Sequence, residues 1–180
     1  MSDVCKISRM TKLMLKNQES REMRTKDARD TEHKNEKIKN FLKWIGLKEK
    51  IHGGNHTPPF FKEGEIWWCY VGENVGVEVN GKGGQFTRPI FILKKYDRYS
   101  FLGLPLTTKS KIGTWYVAAS FQGSKQTVVL SQGRVFDYRR FKEKMGELDE
   151  PDVERIIEAY AVLHCPLKNR PPVRENGSRG

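Results

Sequence analysis

The sequence EGEIWWCYVGENVGVEVNGKGGQFTRPIFI, residues 63–92, contains the pattern that most constrains the fold. An aromatic-rich apolar run at residues 66–71 leads into a loop that is rich in glycine and carries an acid, Glu78. The chain then enters a second apolar run through Arg88 and Pro89. Two such runs separated by glycines predict two strands joined by a long loop.

Further short apolar segments follow at close spacing, and glycines and polar residues separate them. The predicted strands are residues 66–71, 90–94, 101–106, 115–121, 127–130 and 134–136. Short strands of this kind favour a mainly β fold, a small and strongly bent barrel.

The end of this region changes from a β pattern to a helical one. Residues 138–145 predict a short helix ended by Gly146, and a longer helix begins near Asp149 and Pro151. Its apolar residues recur at helical spacing, namely Val153, Ile156, Ile157, Tyr160 and Leu163. We expect this helix to close one face of the barrel.

The rest of the chain divides by composition. Residues 1–34 are polar and charge-mixed, which favours a disordered extension or a frayed helix, and Met14 and Met23 are alternative starts. Residues 35–56 predict an amphipathic helix and a linker, and residues 57–164 the barrel domain. Residues 165–180 contain prolines, arginines and glycines and predict a disordered tail.

The predicted helix within residues 35–56 has one apolar stripe, formed by Ile38, Phe41, Leu42 and Ile45. A stripe of large apolar side chains is stable when it is covered. We therefore expect it to be buried against the barrel or against a partner.

The formal charge of +11 suggests a nucleic-acid partner, but its distribution weakens that inference. Residues 1–50 hold 14 Lys and Arg against 8 Asp and Glu, whereas residues 57–164 hold 15 against 13. Most of the excess lies near the termini, where charged runs are commonly just solvated.

The three cysteines, Cys5, Cys69 and Cys165, form no CxxC motif and indicate neither a disulfide framework nor a zinc site. The sequence contains no signal-peptide pattern and no run of about 18 apolar residues that could span a bilayer. We expect a cytoplasmic protein without a membrane span, cofactor or bound metal.

Arg88 is the strongest candidate for chemistry. Pro89 biases it toward an extended backbone, so its guanidinium stands at the start of a strand, where it can grip two phosphate oxygens. Thr107 and Thr108, after Pro105, offer hydroxyls to the same phosphate. The alternative interpretation is an exposed arginine at a strand end and ordinary strand threonines.

The remaining polar candidates carry weaker signals. Lys109 and Lys111 could position backbone phosphates or form a solvated strand edge, and a single loop acid such as Glu78 commonly has no function. His52 and His56 have i, i+4 spacing, but the intervening glycines argue against a helix and hence against a metal site.

Motifs along residues 63–163 together resemble the MazF/PemK toxin family. The matching segments are Gly64 to Trp68, Val75 to Glu78, Thr87-Arg88-Pro89, Pro105 to Lys111, Val129 to Asp137 and the last helix. The resemblance implies an SH3-like barrel of the CcdB/MazF type, a homodimer and a small acidic antitoxin as partner. It also implies metal-independent, sequence-selective cleavage of single-stranded RNA.

In that family, the arginine before proline and the first threonine of the threonine strand form the catalytic pair, here Arg88 and Thr107. The residues expected to contact RNA are Glu78, Lys82, Thr108, Lys109, Lys111, Gln132 and Arg134. The sequence departs from the family at Val79, at Ser131 and in the insertion at residues 80–84, so the family's cleavage sequence cannot be transferred.

Two other functions remain open. Barrel toxins of the CcdB type act by binding a protein target and cut nothing, and such a module could also bind nucleic acid. A degenerate member retained for binding or regulation is a third reading. The intact Arg88 and Thr107 favour the ribonuclease.

Overall fold

The computed structural model describes the backbone of residues 3–165 and the side chains of Met23, Lys26 and residues 29–165. The chain divides into two units, Met1–Leu47 and Lys48–Gly180. Most of the predicted tail at residues 165–180 lies outside the described residues.

The first helix, α1, spans Asp3–Gly53 and is much longer than the helix expected from residue 35 onward. Its sequence has no proline and, before Gly53, a single glycine at Gly46, while lysine, glutamate, arginine and leucine are good helix formers. Residues 3–34, for which composition favours disorder or a frayed helix, therefore belong to the same helix.

The apolar stripe of α1 is exposed. Ile38, Phe41, Leu42 and Ile45 are 50, 47, 63 and 44% exposed, whereas Trp44 on the same helix is buried. The expectation that the chain itself buries this stripe is wrong, and cover by a partner stays a prediction. Within residues 3–165, neither helix has an apolar stretch long enough to cross a bilayer.

The second unit is built on an antiparallel sheet of seven strands. The strands are β1 Glu65–Tyr70, β2 Thr87–Lys95, β3 Ser100–Thr107, β4 Tyr116–Phe121, β5 Ser124–Val129, β6 Arg134–Asp137 and β7 Phe141–Glu147. Their order is β4-β5-β3-β2-β1-β7, and β6 also pairs with β3. This is the mainly β architecture predicted from the sequence.

The sheet does not close into a barrel by a backbone ladder among the described residues. The long strand β3 pairs with β6 through Ser100 to Gly103 and with β5 through Leu106 and Thr107. The two ends of the sheet meet through side chains, since Gln122 Nε2 after β4 donates to the Met145 carbonyl of β7 at 3.4 Å. The predicted barrel is therefore an open one.

Strand β7 corrects the expectation of a helix at residues 138–145. A single 3-10 turn, Tyr138–Arg140, is followed by the strand, which pairs with β1. Two register shifts in this ladder disturb the alternation of side chains that identifies a strand. The strand is also anchored by Lys144, whose Nζ lies 2.7 Å from Oε1 of the buried Glu65.

Both faces of β2 are covered. Phe91 and Leu93 pack in a cluster that includes Ile156 of the last helix, while Ile90 and Ile92 pack in a second cluster on the other face. Because successive side chains of a strand point to opposite faces, the continuous apolar run of β2 indicates a central strand.

The last helix, α2, spans Glu150–His164 and agrees with the expectation from Asp149 and Pro151. Ile156 is fully buried, and Val153, Tyr160 and Leu163 pack partly buried against the same cluster. Ile157 instead remains 46% exposed. The helix closes one face of the sheet, as expected.

Candidate functional site

Arg88 stands near the start of β2, where Pro89 follows and Cys69 of β1 is its ladder partner. Its Nε donates to the Asn80 carbonyl at 2.8 Å and its Nη1 to the Leu106 carbonyl at 3.2 Å. Burial lowers the pKa of the guanidinium, which nevertheless stays protonated. These two bonds use two of its five N–H groups and leave others for a phosphate.

Thr107 ends β3 on the strand next to Arg88. The β2–β3 ladder ends at the pair of Ile90 with Pro105, two residues after Arg88 on β2 and two residues before Thr107 on β3. The backbone N–H of Lys109 donates to Thr107 Oγ1 at 3.2 Å. A hydroxyl that accepts in this way keeps its own proton for donation.

The loop between β1 and β2 folds back on itself beside Arg88. The Gly81 N–H donates to the Gly72 carbonyl at 2.7 Å, and Lys82 forms a bridge with Thr87. A Cβ on Gly81 would lie only 1.9 Å from the Phe86 carbonyl oxygen, so this close approach requires glycine.

Glu78 and Gln132 hold this loop in the structure. Glu78 Oε2 accepts the N–H of Val75 at 3.1 Å and closes the tip of the loop. Gln132 Oε1 accepts the N–H of Val79 at 3.2 Å, and its Nε2 lies 3.5 Å from the Val77 carbonyl. Both side chains, predicted to contact RNA, therefore also position the loop.

Two further half-buried arginines lie on the β1 side of the site. Arg134 Nη2 donates to the Val71 carbonyl at 3.0 Å, and its guanidinium packs 4.7 Å from the ring centre of Phe136. Arg140 Nη1 donates to the Tyr70 carbonyl at 2.8 Å. Burial lowers the pKa of both arginines, and the charge of Arg140 lowers that of Arg134 further.

Arg140 is a residue that the sequence analysis missed. The sequence shows two adjacent arginines, Arg139 and Arg140. Because a helix was expected at residues 138–145, the sequence did not indicate which of the two faces β1. Arg139 points elsewhere and pairs with Asp137, with Nε 2.8 Å from Oδ1.

The other predicted contacts lie around this centre on exposed segments. Thr108 and Lys109 directly follow Thr107 at the end of β3, and Lys82 is exposed in the glycine loop. Lys111 Nζ lies 5.2 Å from the ring centre of Tyr116 at the start of β4. Within residues 29–165, no group of three or more His, Cys, Asp or Glu side chains is placed to hold a metal ion.

A comparison with protein families gives a match over residues 62–163, more than half of the chain. The matching family is described as PemK-like, MazF-like toxins of type II toxin-antitoxin systems. The chain belongs to this family. The match covers the sheet and α2 of the PemK/MazF fold and leaves α1 outside it.

Several solved structures are similar to this PemK/MazF member over the same region. MazF from Deinococcus radiodurans is 17% identical, with a TM-score of 0.48, over 60% of this chain and 97% of that one. An endoribonuclease in complex with its cognate antitoxin, from a mycobacterial species, is 17% identical, with a TM-score of 0.46, over 59 and 98%. No curated protein matches the sequence.

Proposed function

We propose that this PemK/MazF-family toxin is a metal-independent endoribonuclease that cleaves single-stranded RNA and thereby inhibits translation. The observation that carries the proposal is the pairing of Arg88 with the end of β3, where its Nη1 lies 3.2 Å from the carbonyl that precedes Thr107. A fixed guanidinium beside an available hydroxyl fits the anionic transition state of phosphoryl transfer.

The two central residues have distinct roles in the proposal. The remaining N–H groups of Arg88 stabilise the charge on the pentacoordinate phosphorus and assist proton transfer. The backbone N–H of Lys109 donates to Thr107 Oγ1, so the hydroxyl proton of Thr107 stays free for a hydrogen bond to a phosphate oxygen. Arg134 and the exposed Lys82, Thr108, Lys109 and Lys111 hold the flanking RNA backbone.

The nucleophile in this reaction is the RNA 2'-hydroxyl. The 2'-oxygen forms a bond to phosphorus as the bond from phosphorus to the 5'-oxygen breaks. The 2'-oxygen loses its proton, and the leaving 5'-oxygen gains one. The products are a 2',3'-cyclic phosphate and a 5'-hydroxyl. Bases are selected by the loop at residues 72–87 and by Gln132.

We further propose that the active unit is a homodimer held in check by a small acidic antitoxin in the cytoplasm. A closed two-fold pair is the commonest arrangement of soluble oligomers. The family match, which names a toxin-antitoxin system, supports the antitoxin as partner.

The direct test is to incubate the purified full chain with mixed-sequence RNA in excess chelator and to identify the ends of the products. We expect cleavage with 2',3'-cyclic phosphate and 5'-hydroxyl ends, and none when the scissile nucleotide carries deoxyribose. Products with 5'-phosphates, or activity that requires magnesium, would replace this mechanism with a metal-assisted one. A folded protein that cuts no RNA but still arrests growth would favour the CcdB-like binding module.

A further inference from the structure

The α1 helix carries an apolar surface outside the region that matches the toxin family. Ile38, Phe41, Leu42 and Ile45 follow i, i+3, i+4, i+7 spacing and so lie on one face of the helix. All four are exposed, and together they present roughly 300–400 Å² of apolar surface, a size that commonly marks an interaction site. We call these four residues the α1 stripe.

Lysines border the α1 stripe on both sides. At 3.6 residues per turn, Lys37 lies beside one edge of the stripe and Lys39 beside the other, and Lys34 lies one turn before Ile38 on the same face. Their side chains are exposed, and no ion pair joins any of them to a residue within 29–165. The charge next to the stripe is therefore unneutralised.

The charge of the whole segment decides between a second copy and a different partner. Residues 34–50 contain six lysines and two glutamates, a net charge of +4. Two copies that met through this segment would bring together like charges, which disfavours the pairing. An apolar helix face bordered by acidic residues complements both the stripe and its lysines.

We propose that the α1 stripe is a docking surface for an acidic amphipathic helix of a partner protein. The apolar side of that helix covers Ile38, Phe41, Leu42 and Ile45, and its acidic residues face Lys34, Lys37 and Lys39. This inference does not depend on the ribonuclease activity, because the surface lies outside the candidate site.

Two synthetic helical peptides of about 20 residues, long enough to hold a helix, test the chemistry. They share one leucine and isoleucine stripe and differ only in its borders, glutamate in one and lysine in the other. Calorimetry with the full-length protein should show at least about tenfold tighter binding of the glutamate peptide, a preference that weakens with added salt. Equal binding of the two peptides, or no binding of either, would overturn the proposal.

Variants of exposed residues locate the contact on α1. Phe41→Ala with Leu42→Ala should weaken binding of the glutamate peptide by at least about tenfold, since it removes the centre of the stripe. Lys34→Glu, Lys37→Glu and Lys39→Glu together should reverse the preference toward the lysine peptide. The matched control, Val135→Ala with Lys125→Glu on the sheet, should change neither result. A wild-type preference in the triple lysine variant would place binding elsewhere and overturn the proposal.

Two further measurements identify other occupants of the surface. Light scattering should give the same mass for wild type and the Phe41, Leu42 variant, because a fall in mass would show that a second copy covers the stripe. Polyuridylate, a single-stranded RNA, should bind wild type and the Phe41, Leu42 variant with equal affinity. A loss of polyuridylate binding in the triple lysine variant, without glutamate-peptide binding to wild type, would show that the surface serves nucleic acid instead.

Discussion

The candidate site has two parts that the fold holds in different ways. Arg88 and Thr107 stand at the ends of β2 and β3, where backbone ladders to β1 and β5 fix their positions. The loop at residues 71–86 forms no continuous ladder and is held by isolated backbone bonds, such as Gly81 N–H to the Gly72 carbonyl, and by the side chains of Glu78 and Gln132. This difference suggests that the two residues proposed to react are rigid, whereas the loop proposed to select bases can change without loss of the fold.

Arg88→Ala should have the largest effect on activity. Loss of one donor that stabilises transition-state charge typically lowers kcat by about 10²–10³-fold. We expect this loss with little change in KM, measured as initial rates on a short RNA, and with an unchanged circular dichroism spectrum. Lys at this position keeps the charge but not the two carbonyl bonds, so it should restore activity only in part. Near wild-type turnover in folded Arg88→Ala would remove Arg88 from the mechanism.

Thr107→Val should come next. The substitution keeps the shape of the side chain and removes the hydroxyl, and loss of a hydrogen bond to a charged group lowers kcat by about tenfold or more. Thr107→Ser keeps the hydroxyl and should retain most of the activity. Equal loss in both variants would mean that the methyl group, rather than the hydroxyl, matters at the end of β3.

Gln132→Ala should affect substrate preference more than turnover. It removes the acceptor for the Val79 N–H and should cost about 1 kcal/mol of stability, while KM rises and kcat stays close to wild type. Gln132→Glu keeps an acceptor at this position and is the matched control. Its stability should lie closer to wild type, as measured by urea unfolding. A fall in kcat comparable to that of Thr107→Val would show that the loop and the reacting pair are not separate.

Glu78→Ala should have the smallest effect. Its bond to the Val75 N–H is exposed at the tip of the loop, where such contacts contribute little. We expect a change in KM of about twofold and no change in melting temperature, which follows from the small energy of the bond. Glu78→Gln keeps the acceptor and should match wild type. If Glu78→Gln instead matches the alanine variant, the negative charge near Arg134 is the relevant property.

Much of the sheet was predictable, because the apolar runs that form β1, β2 and β3 are continuous and bounded by glycine or polar residues. The family resemblance that the family match confirms came from the same runs and from the Arg88-Pro89 and Pro105-to-Lys111 segments. The placement of Arg88 and Thr107 on neighbouring strands follows from antiparallel pairing of β2 with β3.

The errors have physical causes in particular residues. The sequence of strand β7 does not distinguish a strand from a helix, because Phe141 and Met145 are four residues apart, a spacing that fits one face of either element. The length of α1 was missed because its sequence is charged, although charged residues such as Lys and Glu favour helices. Gln132 accepts from the Val79 N–H and Arg140 donates to the Tyr70 carbonyl. These contacts join segments that are distant in sequence, so local sequence patterns do not predict them.

The buried thiol of Cys69 can be used to measure how often β1 separates from its neighbouring strands below Arg88. Its thiol is fully buried on β1, directly across the ladder from Arg88, and burial raises its pKa. A thiolate-seeking reagent can reach it only after β1 separates from β2 or β7, whereas the half-buried Cys165 requires no such event. The labelling rate of Cys69 therefore measures breathing of the sheet beneath Arg88, without RNA and without cleavage.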